Sequence, residues 1–417
     1  MWNSIVGASP IQSTTVHSGT YAAQFTNAGT VGLRRDLSAA VTSGTYIVRA
    51  YIRPTGTPAG SRGIISAGQF NNNNGYWLLL SNTRALIIRN RIAPQTSVTG
   101  PVLALNTWYR VEVRSLFSDT VGQLEVRVFE VSGTTETEIS GSPFGIGTFT
   151  GGNGTDEDTL PTNIRTWFFG DIQTGGGSYP GEMDDIALTN DTTYPIGAGK
   201  IALAEPGGET AMGWEDETAG ASLFSNVNDL PGTPDDVNYN KEDDTDAQID
   251  QMTLATLPAE IPSDADMILM DVYARVGSDG TTARTGRLKI WDEASVLTNG
   301  NNVDFAVSGW RILSIGPTDE HQVFALGTRS KANVQDFDIG YENITNLATR
   351  ARRVSALWAN VEWIEAVAGG GGGIAQAPNR NIQINYGGTF AGAGRGVFGR
   401  VRRPRGRWGS LRAARVI

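Results

Sequence analysis

The chain has 417 residues, room for two or three domains, with 52 glycines, no cysteine and two histidines, His17 and His321. The missing cysteines exclude disulfides, a thiol nucleophile and thiolate-bound zinc; two histidines exclude a multi-histidine metal centre and leave any Ser-His-Asp triad only His17 or His321 to use. The net charge of −10 averages unlike parts: residues 1–195 carry −3, residues 196–368 carry −16, and residues 369–417 carry +9 from nine arginines and no acid.

No run of 18 apolar residues occurs, so no transmembrane helix and no membrane partner is expected. The opening Met1-Trp2-Asn3-Ser4-Ile5-Val6 has no basic leader region and does not read as a secretory signal. A protein of this kind working outside a cell needs another route, such as lysis of a host that has assembled virions.

The first module, 1–195, reads as successive strands. Around the Ser18-Gly19 turn signal, small polar and apolar residues alternate, which puts Tyr21 and Phe25 on one face. Strands follow at 45–53, stopped by Pro54, and at 63–68, 75–80 and 85–89. The run 107–114 alternates strictly, with Trp108, Arg110, Glu112 and Arg114 on one face and Tyr109, Val111 and Val113 on the other. Runs at 123–130, 165–170 and 182–188 close the module. Short strands at this spacing, with Gly, Asn and Ser turns, argue for a sandwich.

Three phrases occur in order: His17-Ser-Gly-Thr-Tyr-Ala-Ala23, Asn106-Thr-Trp108-Tyr-Arg-Val-Glu-Val113 and Glu182-Met-Asp-Asp185-Ile-Ala-Leu188. They resemble the laminin-G-like and concanavalin-like jelly rolls. The resemblance implies a recognition fold, found in sugar-binding modules and virion proteins. Such domains usually begin with an earlier Phe-Glu strand that is not seen here, so either the true start lies upstream or an edge strand is lost.

Residues 190–199 read as a linker. The second module, 196–368, opens with Met212-Gly213-Trp214-Glu215 and an acidic loop, then strands at 266–275, 285–291, 337–342 and 354–363. It contains Asn228-Asp229-Leu230-Pro231, Asp246-Ala247-Gln248, Arg284-Thr285-Gly286-Arg287 and Arg353-Val354-Ser355-Ala356-Leu357. In that order they resemble a β-rich module of tailed-phage structural proteins. From 369 the character changes: five glycines, Gly369–Gly373, lead into a basic tail with no core pattern, expected to be disordered until a partner orders it.

Several constellations invite chemistry. Glu182 and Asp184 share a face, as a glycosidase carboxylate pair would. Laminarinase-type jelly rolls use Glu-x-Asp-x-x-Glu, and here Ala187 replaces the last carboxylate. The pair therefore reads as structural, and no catalytic residue is assigned. Asn72, Asn73, Asn74 and Tyr76 form the candidate glycan-contacting loop, with Trp77 and Trp108 read as core and the loop weighed against a plain polar turn. Both histidines read as ordinary surface or strand residues. The acidic stretch 205–250 holds 13 carboxylates without a calcium-loop pattern, and Gly175–Gly177 opens no helix, so neither a metal nor any other cofactor is assigned.

The tail residues Arg395, Arg400, Arg402, Arg403, Arg405, Arg407 and Trp408 are the candidate partner-binding set. Their chemistry suits nucleic-acid phosphates with base stacking, or an acidic surface of another virion subunit; a shifted reading frame also yields such a composition. The reading as a whole is all-β: two β-sandwich, jelly-roll-like domains plus a Gly/Arg-rich tail. It implies a non-enzymatic virion protein (head decoration, head fibre or tail fibre) that partners other virion proteins, forms a homo-oligomer and contacts a host-surface glycan. A secreted carbohydrate-active enzyme and a bacterial surface adhesin are the alternatives.

Overall fold

The computed structural model describes residues 4–6, 11–19, 22–25, 31–41, 44–69, 75–91, 96–118, 122–147, 164–171, 179–189, 194–216, 223–229, 236–242, 248–278, 284–292, 295–300, 302–305, 310–314, 324–344, 352–365 and 381–382. Period-two alternation drives the architecture: one set of side chains on each strand is apolar and must be covered, so sheets pair face to face. Strands dominate, and among the described residues the only helical elements are Leu223–Asn226 and Lys331–Gln335.

The first sandwich joins two antiparallel sheets. One runs Ser4–Val6, Val31–Val41, Ile164–Asp171, Arg62–Gln69, Gly75–Leu80, Ala85–Asn90, Ser97–Val102. The other runs Thr135–Glu138, Gln123–Ser132, Tyr109–Phe117, Gly44–Pro54, Gly181–Thr189, Ala22–Phe25, Ile11–Gln12, with Phe144–Ile146 paired to Gln123–Ser132. Val48, Ala50, Ile52, Val111, Val113 and Met183 of the second sheet face Leu33, Ile65, Leu78, Ile88 and Trp167 of the first in one core.

The second sandwich is built the same way. Its seven-stranded sheet centres on Arg352–Ile364 and Asp266–Ser278; its six-stranded sheet centres on Phe337–Asn343 between Ile249–Leu254 and Arg284–Asp292. Met270, Val272, Leu357 and Val361 from one sheet meet Ile290, Ile339 and Tyr341 from the other. The strands expected from sequence are all present. Those missed include the edge strands Lys200–Ala204 and Phe324–Ser330, whose alternation is short or interrupted, and the interior strands Val31–Val41 and Ile249–Leu254, in which small and polar residues break the apolar pattern.

A buried polar hub ties the second sandwich together. Asp250 Oδ1 accepts the backbone N–H groups of Gly213 (2.9 Å) and Trp214 (3.0 Å), and Oδ2 accepts from Asn240 (3.2 Å) and the Tyr341 hydroxyl (2.6 Å). Gln248 of the Asp-Ala-Gln phrase donates its side-chain amide to the Gly213 carbonyl and its backbone N–H to Asn343. Gln248 thus fastens the ends of Pro206–Met212 and Phe337–Asn343 where Ile249–Leu254 begins, while Asp246 and Ala247 lie outside the described residues. Asp236 of the acidic stretch is held by Arg275 and accepts from Ser355, so it is spent on a structural pair.

Of the expected basic tail, only Asn381–Ile382 is described, and it pairs with Leu188 and Ala187 of the first sandwich. That attachment departs from the expectation of a tail wholly uncoupled by its glycines: the strand Gly181–Thr189 pairs with Ala22–Phe25 only through Met183, leaving backbone groups of 187 and 188 to be met. Arg395, Arg400, Arg402, Arg403, Arg405, Arg407 and Trp408 lie outside the described residues. Tyr341→Phe removes one bond to a buried carboxylate, and thermal unfolding is expected to show a loss of about 1.5–3 kcal/mol. An unchanged melt would place the hub's strength in its other three bonds.

Candidate functional site at the seam of the two sandwiches

The strand Gly181–Thr189 carries three acidic side chains, Glu182, Asp184 and Asp185, and all nine of its residues are buried. Met183, Ile186 and Leu188 point into the first core. The spacing of three between Met183 and Ile186 requires a bulge, and pairing with Gly44–Pro54 slips between Asp184 and Ala187 while Asp185 adopts φ 44°. The bulge turns both aspartates to the outer face, toward the second sandwich.

Each carboxylate there is already engaged. Glu182 pairs with Arg53 at 2.6 Å. Asp184 Oδ2 accepts the backbone N–H groups of His17 (2.8 Å) and Ser18 (3.2 Å), and Oδ1 accepts that of Asp185 (2.9 Å). Asp185 Oδ1 accepts from the Ser18 hydroxyl (2.6 Å) and from the backbone N–H of Ile201 (2.9 Å), the latter across the seam; Oδ2 lies 2.6 Å from His17 Nδ1. Ser18 therefore donates to the aspartate and not to the histidine, and the three residues do not form a nucleophile–base pair. His17 is stacked on Tyr51 (centroids 3.7 Å apart) with Trp108 at its edge. Its side chain is buried and orients Asp185, the residue that crosses the seam, a correction to its expectation as a plain surface or strand residue; His321 lies outside the described residues.

One strand further on, Arg49 reaches the second sandwich and forms an ion pair of 2.7 Å with Glu362, both side chains fully buried. Burial by itself would lower the guanidinium's pKa, but Glu362 and Tyr51 hold it above the usual value. Gly199 lies against this pair, and a β-carbon there would sit inside contact distance of Glu362 Oε1 and Arg49 Nη1.

The expected linker is pinned on the same face. Glu112 accepts the backbone N–H groups of Ile196 (2.7 Å) and Gly197 (3.0 Å) and pairs with Arg110, which also engages Glu136. Tyr194 donates to the carbonyls of Glu112 or Glu125, each at 3.2 Å, and Ile196 packs with Ile47 and Ala187. Burial raises the Glu112 carboxyl against the pull of Arg110 and those two N–H groups. It raises Asp184 further, because the Asp185 charge adds to the burial.

The sequence-predicted glycan loop is not assembled as expected. Tyr76 is fully buried, its ring in the first core beside Phe117, so it cannot meet a ligand. Trp77 takes the opposite face, under the Arg91 guanidinium, and is not part of that core. Asn72, Asn73 and Asn74 lie outside the described residues. Trp108, expected in the core, sits on the outer face with Arg110 and Glu112, as its alternation with core Tyr109 demands. Arg49, Tyr51 and Glu362 were missed. Their only sequence signal is charge or hydroxyl at outward positions of apolar strands, which does not say what covers that face.

No protein-family model matches this chain, and neither does any curated protein sequence. Solved structures do. A Trypanosoma rangeli sialidase in complex with sialic acid matches at 14% identity over 40% of this chain and 25% of its own, TM-score 0.27. Full-length tailspike protein 2 from Escherichia coli O157:H7 bacteriophage CAB120 matches at 11% over 44% of this chain and 25% of its own, TM-score 0.31. The mouse laminin α1 chain domains LG4-5 match at 13% over 90% of this chain and 89% of that one, TM-score 0.27. This chain thus spans a quarter of the sialidase and of the tailspike. At these identities and scores no function passes from them to this chain.

Two outcomes test the seam. Glu362→Ala leaves Arg49 buried without its carboxylate and should cost about 3–5 kcal/mol. Gly199→Ala should lower the melting temperature by wedging the same pair; a Gly199→Ala protein as stable as the parent would mean the seam gives way at little cost. For pH, Asp184 holds its proton more tightly folded than unfolded, so its contribution to stability falls as pH rises from the ordinary aspartate value through the raised one. The melting temperature of the parent minus that of Asp184→Asn should therefore decrease from mildly acid to neutral pH. An increase would show that its three N–H bonds outweigh burial.

Proposed function

We propose that this chain is a non-catalytic structural protein of a tailed-phage virion, a head decoration, head fibre or tail fibre. Its first sandwich contacts a host-surface glycan or receptor, and its second docks it among other virion proteins. The observation that carries the non-catalytic reading is the state of the one strand that resembles a glycosidase strand. Glu182 is paired with Arg53, Asp184 caps three backbone N–H groups, and the third position is Ala187. A glycosidase needs one carboxyl free to protonate the leaving oxygen and a second facing the sugar. Here the carboxylates are consumed in holding a turn and a seam.

The structural role is supported by the seam itself. The two sandwiches are fastened by a fully buried ion pair and a pinned connector, which suits an element that must project or brace. The phage assignment rests on the ordered phrases of the second module. Of these, Gln248 ties neighbouring strand ends of the six-stranded sheet, and Gly286 lies where a β-carbon would strike the Phe305 ring.

The purified chain is expected to release no reducing sugar from a broad polysaccharide panel, and cryo-electron microscopy of the native particle is expected to show it on head or tail at fixed copy number. Turnover abolished by Glu182→Gln would overturn the non-catalytic reading, and absence from purified particles would overturn the virion role.

A further inference from the structure

One ladder edge of the strand Gly181–Thr189 is only half covered by the first sandwich. On that side Ala22–Phe25 pairs with Gly181, Glu182 and Met183 and goes no further. The chain before Ala22 does not follow the edge. It turns at Gly19, φ 66°, and gives the backbone N–H groups of His17 and Ser18 to Asp184. The opposite edge is taken: Ala187 and Leu188 pair there with Arg49 and Val48. Beyond the bulge, the free side of these two buried residues needs a backbone partner.

That partner comes from far along the sequence. Ile382 pairs with Ala187 and Asn381 with Leu188, antiparallel, on the same side as Ala22–Phe25. The backbone of Asn381–Ile382 also lies beside Asp266–Ser278, a central strand of the second sandwich. The added strand thus meets both sandwiches. It does so where Ala187 packs with Ile47 and Ile196 of the pinned connector, and where Arg49 crosses to Glu362.

The local sequence suits such pairing. Asn381, Gln383 and Asn385 alternate with Ile382, Ile384 and Tyr386, a run too short for a core and long enough for one added strand. No charged residue occurs from 381 to 394, so backbone pairing, and not charge, seats it. Residues 366–380 join it to Glu365, fifteen residues with an extended reach of about 50 Å. Glu365 itself is tied to Lys200 at 2.6 Å, on the strand whose Ile201 meets Asp185 across the seam. A tether of that length starting at the seam keeps its far end at an effective concentration in the millimolar range. A two-residue ladder is weak by itself, and at such a concentration a weak contact is occupied.

We propose that the segment entered at Asn381 is a releasable strap. It adds in cis as a strand to the edge of the first sandwich, lies across the seam, and stays there only because it is tethered. The slot at Ala187–Leu188 accepts an uncharged extended strand through its backbone. This inference is independent of the virion role.

The test is hydrogen–deuterium exchange of the full chain, read over residues 184–189 in about 0.5 M salt, which screens the basic tail. Asn381→Pro and Ile382→Pro combined remove whichever N–H faces the slot. Exchange over 184–189 is expected to quicken roughly tenfold, with 109–117 unchanged. The same change is expected when a protease site placed within Gly369–Gly373 is cut after folding and the protein is diluted to micromolar. Unchanged exchange in the proline variant would show that the strand does not occupy the slot, and protection that survives the cut would show that the tether does not hold it; either result overturns the strap. Protection that grows with protein concentration would give the slot to a second copy and overturn docking in cis. Should the proline variant fold poorly, the parent cut after folding decides alone.

Discussion

Taking a charge out of water costs several kcal/mol unless another charge or a set of dipoles meets it, and that constraint organises this molecule. Arg49 and Glu362 are both fully buried, one on each sandwich, and neither could be so without the other. Once they are paired, the two sheets lie close enough for Asp185 to accept the Ile201 N–H and for Gly199 to pass with no side chain. The connector then has no freedom left: its N–H groups at 196 and 197 go to Glu112, because a buried backbone donor must find an acceptor. A charged seam adds geometric specificity that an apolar one lacks, since a slipped register would leave ions unpaired.

The same constraint accounts for the pairing of the carboxylate-rich strand. A bulge at Asp184–Asp185 is a device that active sites use to re-aim a side chain. Here it aims two aspartates at backbone N–H groups of the His17 turn and of Lys200–Ala204. A carboxylate that accepts three hydrogen bonds in a buried site is a cap. The opposite sheet of the same sandwich puts its arginines to another use, layering them over aromatic rings on the outer face.

Much of the fold was legible because it is written in local alternation. The run Tyr109-Arg110-Val111-Glu112-Val113 announces its strand, its core face and its polar face, and each is as expected. Tyr76 was misread as a ligand contact, and Trp77, buried as expected, takes the outer face instead of the core, although their strand was read correctly. Both are large and apolar, and a strand hydrophobic on both sides gives no sign of which parity faces the core. Tyr76 belongs to the core only because Leu78 and Leu80 share its parity and meet the other sheet. Edge strands such as Lys200–Ala204 were missed because five residues against a partner over 150 positions away leave too little period to detect.

By itself the sequence determined the all-β class, the positions of the central strands, the absence of thiol chemistry and the segregation of charge, since each follows from composition or from near neighbours. Only the tertiary structure decided what covers each polar face. Whether Glu182, Asp184 and Asp185 are reactive or spent depends on Arg53, His17 and Ile201, and Arg49 has a partner 313 residues away. Burial and pairing belong to surfaces brought together in three dimensions, and no pattern along one strand encodes the strand that will lie against it.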